Sequence, residues 1–143
     1  MNFDKVNKIV GTGYKEGLMI VDYDKKEFDC AGLVSEFSED FKLIISAYKD
    51  GKFKNHFKGT IKDLESLNEI KDKNLIEEGD IIMFKNKNSR LWRHVGIAIS
   101  RYEFMHTSEE NGAIVESISN MYFYNKDLRI FRGDKKWKLI IKR

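Results

Sequence analysis

Cys30 is the chain's one cysteine, so it has no disulfide partner within the chain and its chemistry is that of a thiol. It follows Asp29, a good helix N-cap type, and precedes apolar positions at Leu33, Val34, Phe37, Phe41, Ile44, Ile45 and Tyr48. Spacings of three and four predict a helix from Asp29 to a stop at Asp50-Gly51, with Cys30 in its first turn. There the unbonded N–H groups and the helix dipole favour thiolate, and the same N–H groups can donate to an oxyanion. A lone cysteine is more commonly a small buried hydrophobe. The thiol therefore carries meaning only if a base stands near it.

Histidine is the natural base, and a further group must hold it in the useful tautomer. The chain has three histidines. His94 opens a stretch in which Val95, Ile97 and Ile99 alternate to the opposite side of a strand, and His106 ends the next stretch, Glu103-Phe104-Met105-His106. A hairpin turning at Ser100-Arg101-Tyr102 sets the two imidazoles side by side at one end of a sheet. In that arrangement His106 can accept the Nδ1 proton of His94. Two histidines on neighbouring strands are as often plain surface residues. His56, among lysines, reads as exposed and idle.

The remaining elements must carry these three side chains to one place. Asp4 to Val10 reads as a short helix, and Gly11-Thr12-Gly13-Tyr14-Lys15-Glu16-Gly17 as a loop. Residues Lys52 to Glu78 are polar and mixed, with a short helical piece around Ile61 to Leu67. Beyond them come short apolar runs divided by turn residues: 80–84, 94–99, 103–106, 112–116, 128–131 and 137–141. That spacing predicts five or six antiparallel strands or a small barrel. Helices first and strands afterwards give an α+β domain, read as one unit over residues 1–143.

Bulk composition narrows the function classes. The chain has 143 residues, 41% of them hydrophobic, enough for a core without staples. Lys+Arg 26 against Asp+Glu 23 leaves a net charge of +3, and the signs are interleaved. That is a solvated surface rather than a nucleic-acid face. The single cysteine rules out multi-cysteine metal sites, no His-Glu-x-x-His helix occurs, and neither a metal nor a cofactor is expected. No apolar stretch reaches membrane-span length, and the start Met1-Asn2-Phe3-Asp4-Lys5-Val6 lacks a signal-peptide core. The expectation is cytoplasmic synthesis, with any action outside depending on delivery or on a larger parent protein.

Phe28-Asp29-Cys30-Ala31-Gly32-Leu33-Val34 resembles the Asp-Cys-Ser-Gly-Leu-Val motif of the NlpC-type cell-wall cysteine peptidases (NlpC/p-sixty), a papain-like branch. Further blocks agree in order and spacing. Gly11 to Gly17 resembles the family's Gly-Thr-Pro-Tyr-x-x-Gly, and Glu78-Gly79-Asp80-Ile81-Ile82-Met83-Phe84 its Pro-Gly-Asp-Leu-Val-Phe-Phe. His94-Val95-Gly96-Ile97-Ala98-Ile99 resembles His-Val-Gly-Ile-Tyr, and Phe104-Met105-His106-Thr107 resembles Phe-Ile-His-Ala. The resemblance runs over about residues 9 to 118, and blocks in this order outweigh the reading of Cys30 as a plain core residue.

The resemblance implies a papain-like fold, N-terminal helices packed on an antiparallel sheet. It implies Cys30 as nucleophile, His94 as general base and then acid, and His106 as the orienting third member. Tyr14 matches a tyrosine that lines the site, and Asp29 a carboxylate that receives the substrate's free amine, alongside its capping role. The implied partner is a peptidoglycan stem peptide or muropeptide, cut at an amide, typically D-glutamyl to diamino acid. A phage or mobile-element origin is one placement consistent with this. Three positions depart from the pattern: Ala31 replaces a serine, and Glu78 and Gly13 replace prolines. The first removes a polar substrate contact, so a preference for N-terminal alanine is not carried over. Two other readings stand beside this one: a cysteine amidase or acyltransferase on muropeptides or another non-wall acyl substrate, and a catalytically silent binding domain.

Overall fold

A computed structural model describes residues 1–14, 27–28, 30–46, 64–90, 92, 94–108, 110–123 and 126–133. The chain opens with α1 (Phe3–Ile9), where the Asn2 side chain accepts from the Lys5 N–H at 3.1 Å and Asp4 stands in the first turn. Val6 and Ile9 are its buried residues. Thr12 closes the helix by donating its hydroxyl to the Ile9 carbonyl at 2.6 Å. Two short parallel strands follow, β1 (Gly13–Tyr14) and β2 (Glu27–Phe28), with Tyr14 paired to Phe28.

The helix expected from Asp29 to Asp50 is two helices over its described part. The first, α2 (Cys30–Ser35), ends in tight turns, with Glu36 N–H on Leu33 O and Phe37 N–H on Val34 O. The Ser35 hydroxyl donates to Gly32 O at 2.8 Å, competing with the helical ladder. Ser38 then restarts the chain, its Oγ accepting from Phe41 N–H at 3.2 Å as the N-cap of α3 (Glu39–Ser46). Periodicity alone does not see this break, because Phe37 and Phe41 stay on the core side in both arrangements.

The rest is a six-stranded antiparallel sheet in the order β3-β8-β4-β5-β6-β7. Its strands are β3 (Asn68–Ile70), β4 (Ile81–Asn86), β5 (His94–Ala98), β6 (Glu103–Ser108), β7 (Gly112–Ser117) and β8 (Lys126–Arg132). A 3-10 turn at Lys73–Leu75 and the short helix α4 (Ser119–Phe123) complete the described elements. None of β2, β3, the 3-10 turn and α4 was expected, and β1 falls within the stretch 11–17 that was expected to be a loop. The sequence-based strand at 137–141, the sequence-based loop at 15–17, and His56 lie outside the described residues.

Both faces of the sheet are covered, which is why its strands read as continuous apolar runs rather than strict alternation. One face carries Ile81, Met83, Val95, Ile97, Met105 and Phe131 in a core shared with α1, α2 and α3. The other carries Ile82, Phe84, Ala98, Phe104 and Ile130, closed by Ile118 and Met121. The start of β4 is pinned to β5, with Gly79 N–H on Ala98 O and Ala98 N–H on Asp80 O. The Asp80 carboxylate is fully buried and bound by Arg132 at 2.8 Å through both Nε and Nη2, the geometry in which a buried acid is best compensated.

Candidate active site

His94 is the first residue of β5 and is exposed, whereas His106 lies within β6 and is buried. In the β4–β5 ladder His94 stands opposite Phe84, so the two share a face. Their rings stack at 5.3 Å between centroids and 14° between planes. His106 meets the edge of the same phenyl at 5.4 Å and 89°, and it stacks on Phe104 at 4.9 Å and 18°. The hairpin expected at Ser100-Arg101-Tyr102 therefore forms and brings both imidazoles onto one phenyl ring.

What lets His106 lean toward Phe84 is the glycine between them. A Cβ on Gly96 would stand 2.8 Å from Cδ2 of Phe104 and 3.3 Å from Cβ of His106. The space that a side chain on β5 would take is filled instead by the Phe104 ring, the Met105 carbonyl and the Cβ of His106, all from β6.

His106 has a partner that sequence reasoning missed. Its Nε2 is hydrogen-bonded to Oε2 of Glu116 on β7. Burial pushes the His106 pKa below its ordinary 6.5, and Glu116 opposes that only in part. The strand pattern alone does not reveal this pairing, but the register does. Folding β7 back on β6 about Glu110 sets His106 opposite Ile114, and places Glu116 two residues on, on the same face.

Cys30 is the first residue of α2 and is buried, and α2 packs against β5 and β6, the strands of the two histidines. Its side chain joins the core of Leu33, Val95, Ile97 and Met105, so it reaches those strands from the other side of the pleat. The backbone of Tyr14 is held in β1 beside Phe28, two residues before Cys30. Asp29 lies outside the described residues. Among the described residues no group of three or more His, Cys, Asp or Glu side chains is placed to hold a metal ion, and no helix is long and apolar enough to cross a membrane.

The model of the NlpC/P60 family matches residues 13–132. Murein DD-endopeptidase MepS/murein LD-carboxypeptidase of Escherichia coli strain K12 is 30% identical over 110 residues, which are 74% of this chain and 51% of that protein. Probable endopeptidase NlpC of the same strain is 26% identical over 120 residues, 84% of this chain and 68% of that one. The chain thus spans about half the length of the first of these relatives.

Proposed function

The chain belongs to the NlpC/P60 family, and from that premise we propose that it is a cysteine peptidase of peptidoglycan, cutting an amide of the stem peptide. The observation that carries this reading is the assembly on β5 and β6. Two imidazoles meet there on Phe84, on the strands against which the helix headed by the chain's one cysteine packs. Relatives named for endopeptidase activity on murein support the substrate class.

The roles follow from the chemistry. His94 takes the Cys30 thiol proton, and the sulfur attacks the amide carbonyl. N–H groups of the first turn of α2 are assigned as donors to the oxyanion that forms. Protonated His94 returns its proton to the departing amine as the C–N bond breaks, which leaves a thioester on Cys30. Water, deprotonated by His94, then releases the acid and restores the thiol. His94 is exposed at the first position of its strand, and this reading requires its imidazole to meet the sulfur at that end of the sheet. His106 is its orienting partner. The bond favoured is D-glutamyl to diamino acid, and Tyr14 and Asp29 are assigned to the substrate.

Incubation of the purified chain with a mixed muropeptide digest, read by mass spectrometry beside a Cys30→Ala control, tests the reading. New fragments split at one amide and absent from the control are expected, and the fragment masses name the bond. An unchanged digest beside a thiol that alkylates rapidly would transfer the assignment to a non-wall acyl substrate. Cleavage that persists in the Cys30→Ala control would remove the nucleophile.

A further inference from the structure

Glu116 belongs to none of the blocks that carry the resemblance, yet it is the described polar partner of the buried histidine. Its carboxylate stands on β7 opposite Phe104, two residues from the position opposite His106, and reaches the imidazole along the diagonal of the ladder. Both side chains are sheltered, at 9% exposure for His106 and 17% for Glu116. A carboxylate accepts hydrogen bonds and has no proton to give, so the hydrogen in this bond is on Nε2 of His106. In the neutral ring Nδ1 then holds the lone pair. The stack on Phe104 and the edge contact with Phe84 hold the ring plane and resist the half-turn that would exchange the two nitrogens.

We propose that Glu116 is a positioning residue, which fixes His106 as its Nε2–H tautomer and so leaves Nδ1 as the acceptor for an N–H of His94. This deepens the preceding reading and rests on its assignment of His106 as the partner of His94. It supplies what that assignment lacks, a reason why the ring is an acceptor rather than a donor toward the base. Burial keeps the His106 ring neutral near pH 7, in keeping with that role. No proton leaves the pair during turnover: Glu116 accepts a hydrogen bond throughout, and His106 accepts one from His94.

Nitrogen-15 spectra of the imidazole rings test this directly, with His106 assigned by its loss in His106→Gln. The parent protein should show Nε2 protonated and Nδ1 unprotonated near neutral pH. In Glu116→Ala that pattern should give way to a mixture or to the Nδ1–H form. In Glu116→Gln, whose amide oxygen still accepts, the pattern should be retained. On muropeptides, Glu116→Ala should lower kcat by about 10- to 100-fold, with KM changed little, and Glu116→Gln should recover most of the loss. Dispersed backbone amide spectra in the two variants would show that the sheet is intact. A parent ring protonated on Nδ1, or ring shifts unmoved in Glu116→Ala, would overturn the proposal. Failure of the parent protein to cut muropeptides would count against the wall substrate alone, since the ring spectra report on Glu116 without any substrate.

Discussion

Gly96 and His106 face each other across the β5–β6 hairpin so closely that a Cβ on the glycine would stand 3.3 Å from that of the histidine, and nearer still to Phe104 and the Met105 carbonyl. The glycine's φ is not positive, so its need is for space rather than backbone freedom. Gly96→Ala should force Phe104 and His106 away from β5 and cost about 1–3 kcal/mol, the usual range for overpacking a filled site. Activity should fall further than the stability loss explains, because His106 moves with the displaced ring. A thermal melt beside a muropeptide assay checks both. A variant as stable and active as the parent would show that the rings yield freely.

Much of this arrangement was legible in the residues themselves. The alternation of Val95, Ile97 and Ile99 against His94, and a turn at Ser100-Arg101-Tyr102, were enough to set both histidines on one face. The sheet's two-sided burial was implicit in the unbroken run Ile81-Ile82-Met83-Phe84. What the pattern could not show depended on register or on short polar segments. β3, Asn68-Glu69-Ile70, is an edge strand in which only Ile70 is apolar, so nothing in its composition marks a strand. The break at Ser35 to Ser38 hides inside a periodicity that it does not disturb. Glu116 becomes visible only once β7 is paired with β6 residue by residue.

The Arg132–Asp80 pair anchors the first residues of β4 to the last described strand. Asp80 is fully buried, and its carboxylate also accepts from Glu77 N–H at 2.8 Å. Arg132→Met should therefore leave a buried acid without its cation and cost about 3–5 kcal/mol. Asp80→Asn in the same background should recover part of the loss, since an amide is cheaper to bury unpaired than a carboxylate. Urea unfolding of both variants measures this. A double variant no more stable than the single one would mean that the guanidinium contributes by packing rather than by charge.

Gly112 holds a different junction. Its φ is +65°, and a Cβ there would come within 2.2 Å of the Thr12 carbonyl oxygen. That carbonyl accepts from Ala113 N–H at 2.9 Å, while Gly11 N–H bonds Ala113 O. The segment leading to Tyr14 is thus docked on β7 through paired backbone hydrogen bonds. Gly112→Ala should cost about 1–2 kcal/mol in left-handed backbone strain, with a further penalty for the contact. It should also raise KM if Tyr14 meets the substrate. Hydrogen exchange at Gly11 and Ala113 should accelerate in the variant, and unchanged protection there would mean that the junction accommodates the methyl group.

The last prediction concerns pH. Burial lowers the His106 pKa from 6.5, with Glu116 pulling the other way. The unfolded chain therefore takes up a proton at the ordinary value, while the folded chain refuses it until the pH is lower. Between those two points the unfolded state binds more protons, so stability falls as the medium is acidified. The contribution is present in full above the unfolded value and is lost as pH drops through the folded one. His106→Gln removes this titration, so the stability difference between parent and variant should change steadily as the pH falls below the ordinary 6.5 of a histidine. The parent should lose the more of the two on the acid side. Glu116→Ala removes the interaction that holds the pKa up, so it should extend the sensitive range to lower pH. Urea midpoints taken across the range would decide it, and parallel losses in parent and His106→Gln would place the acid sensitivity on another group.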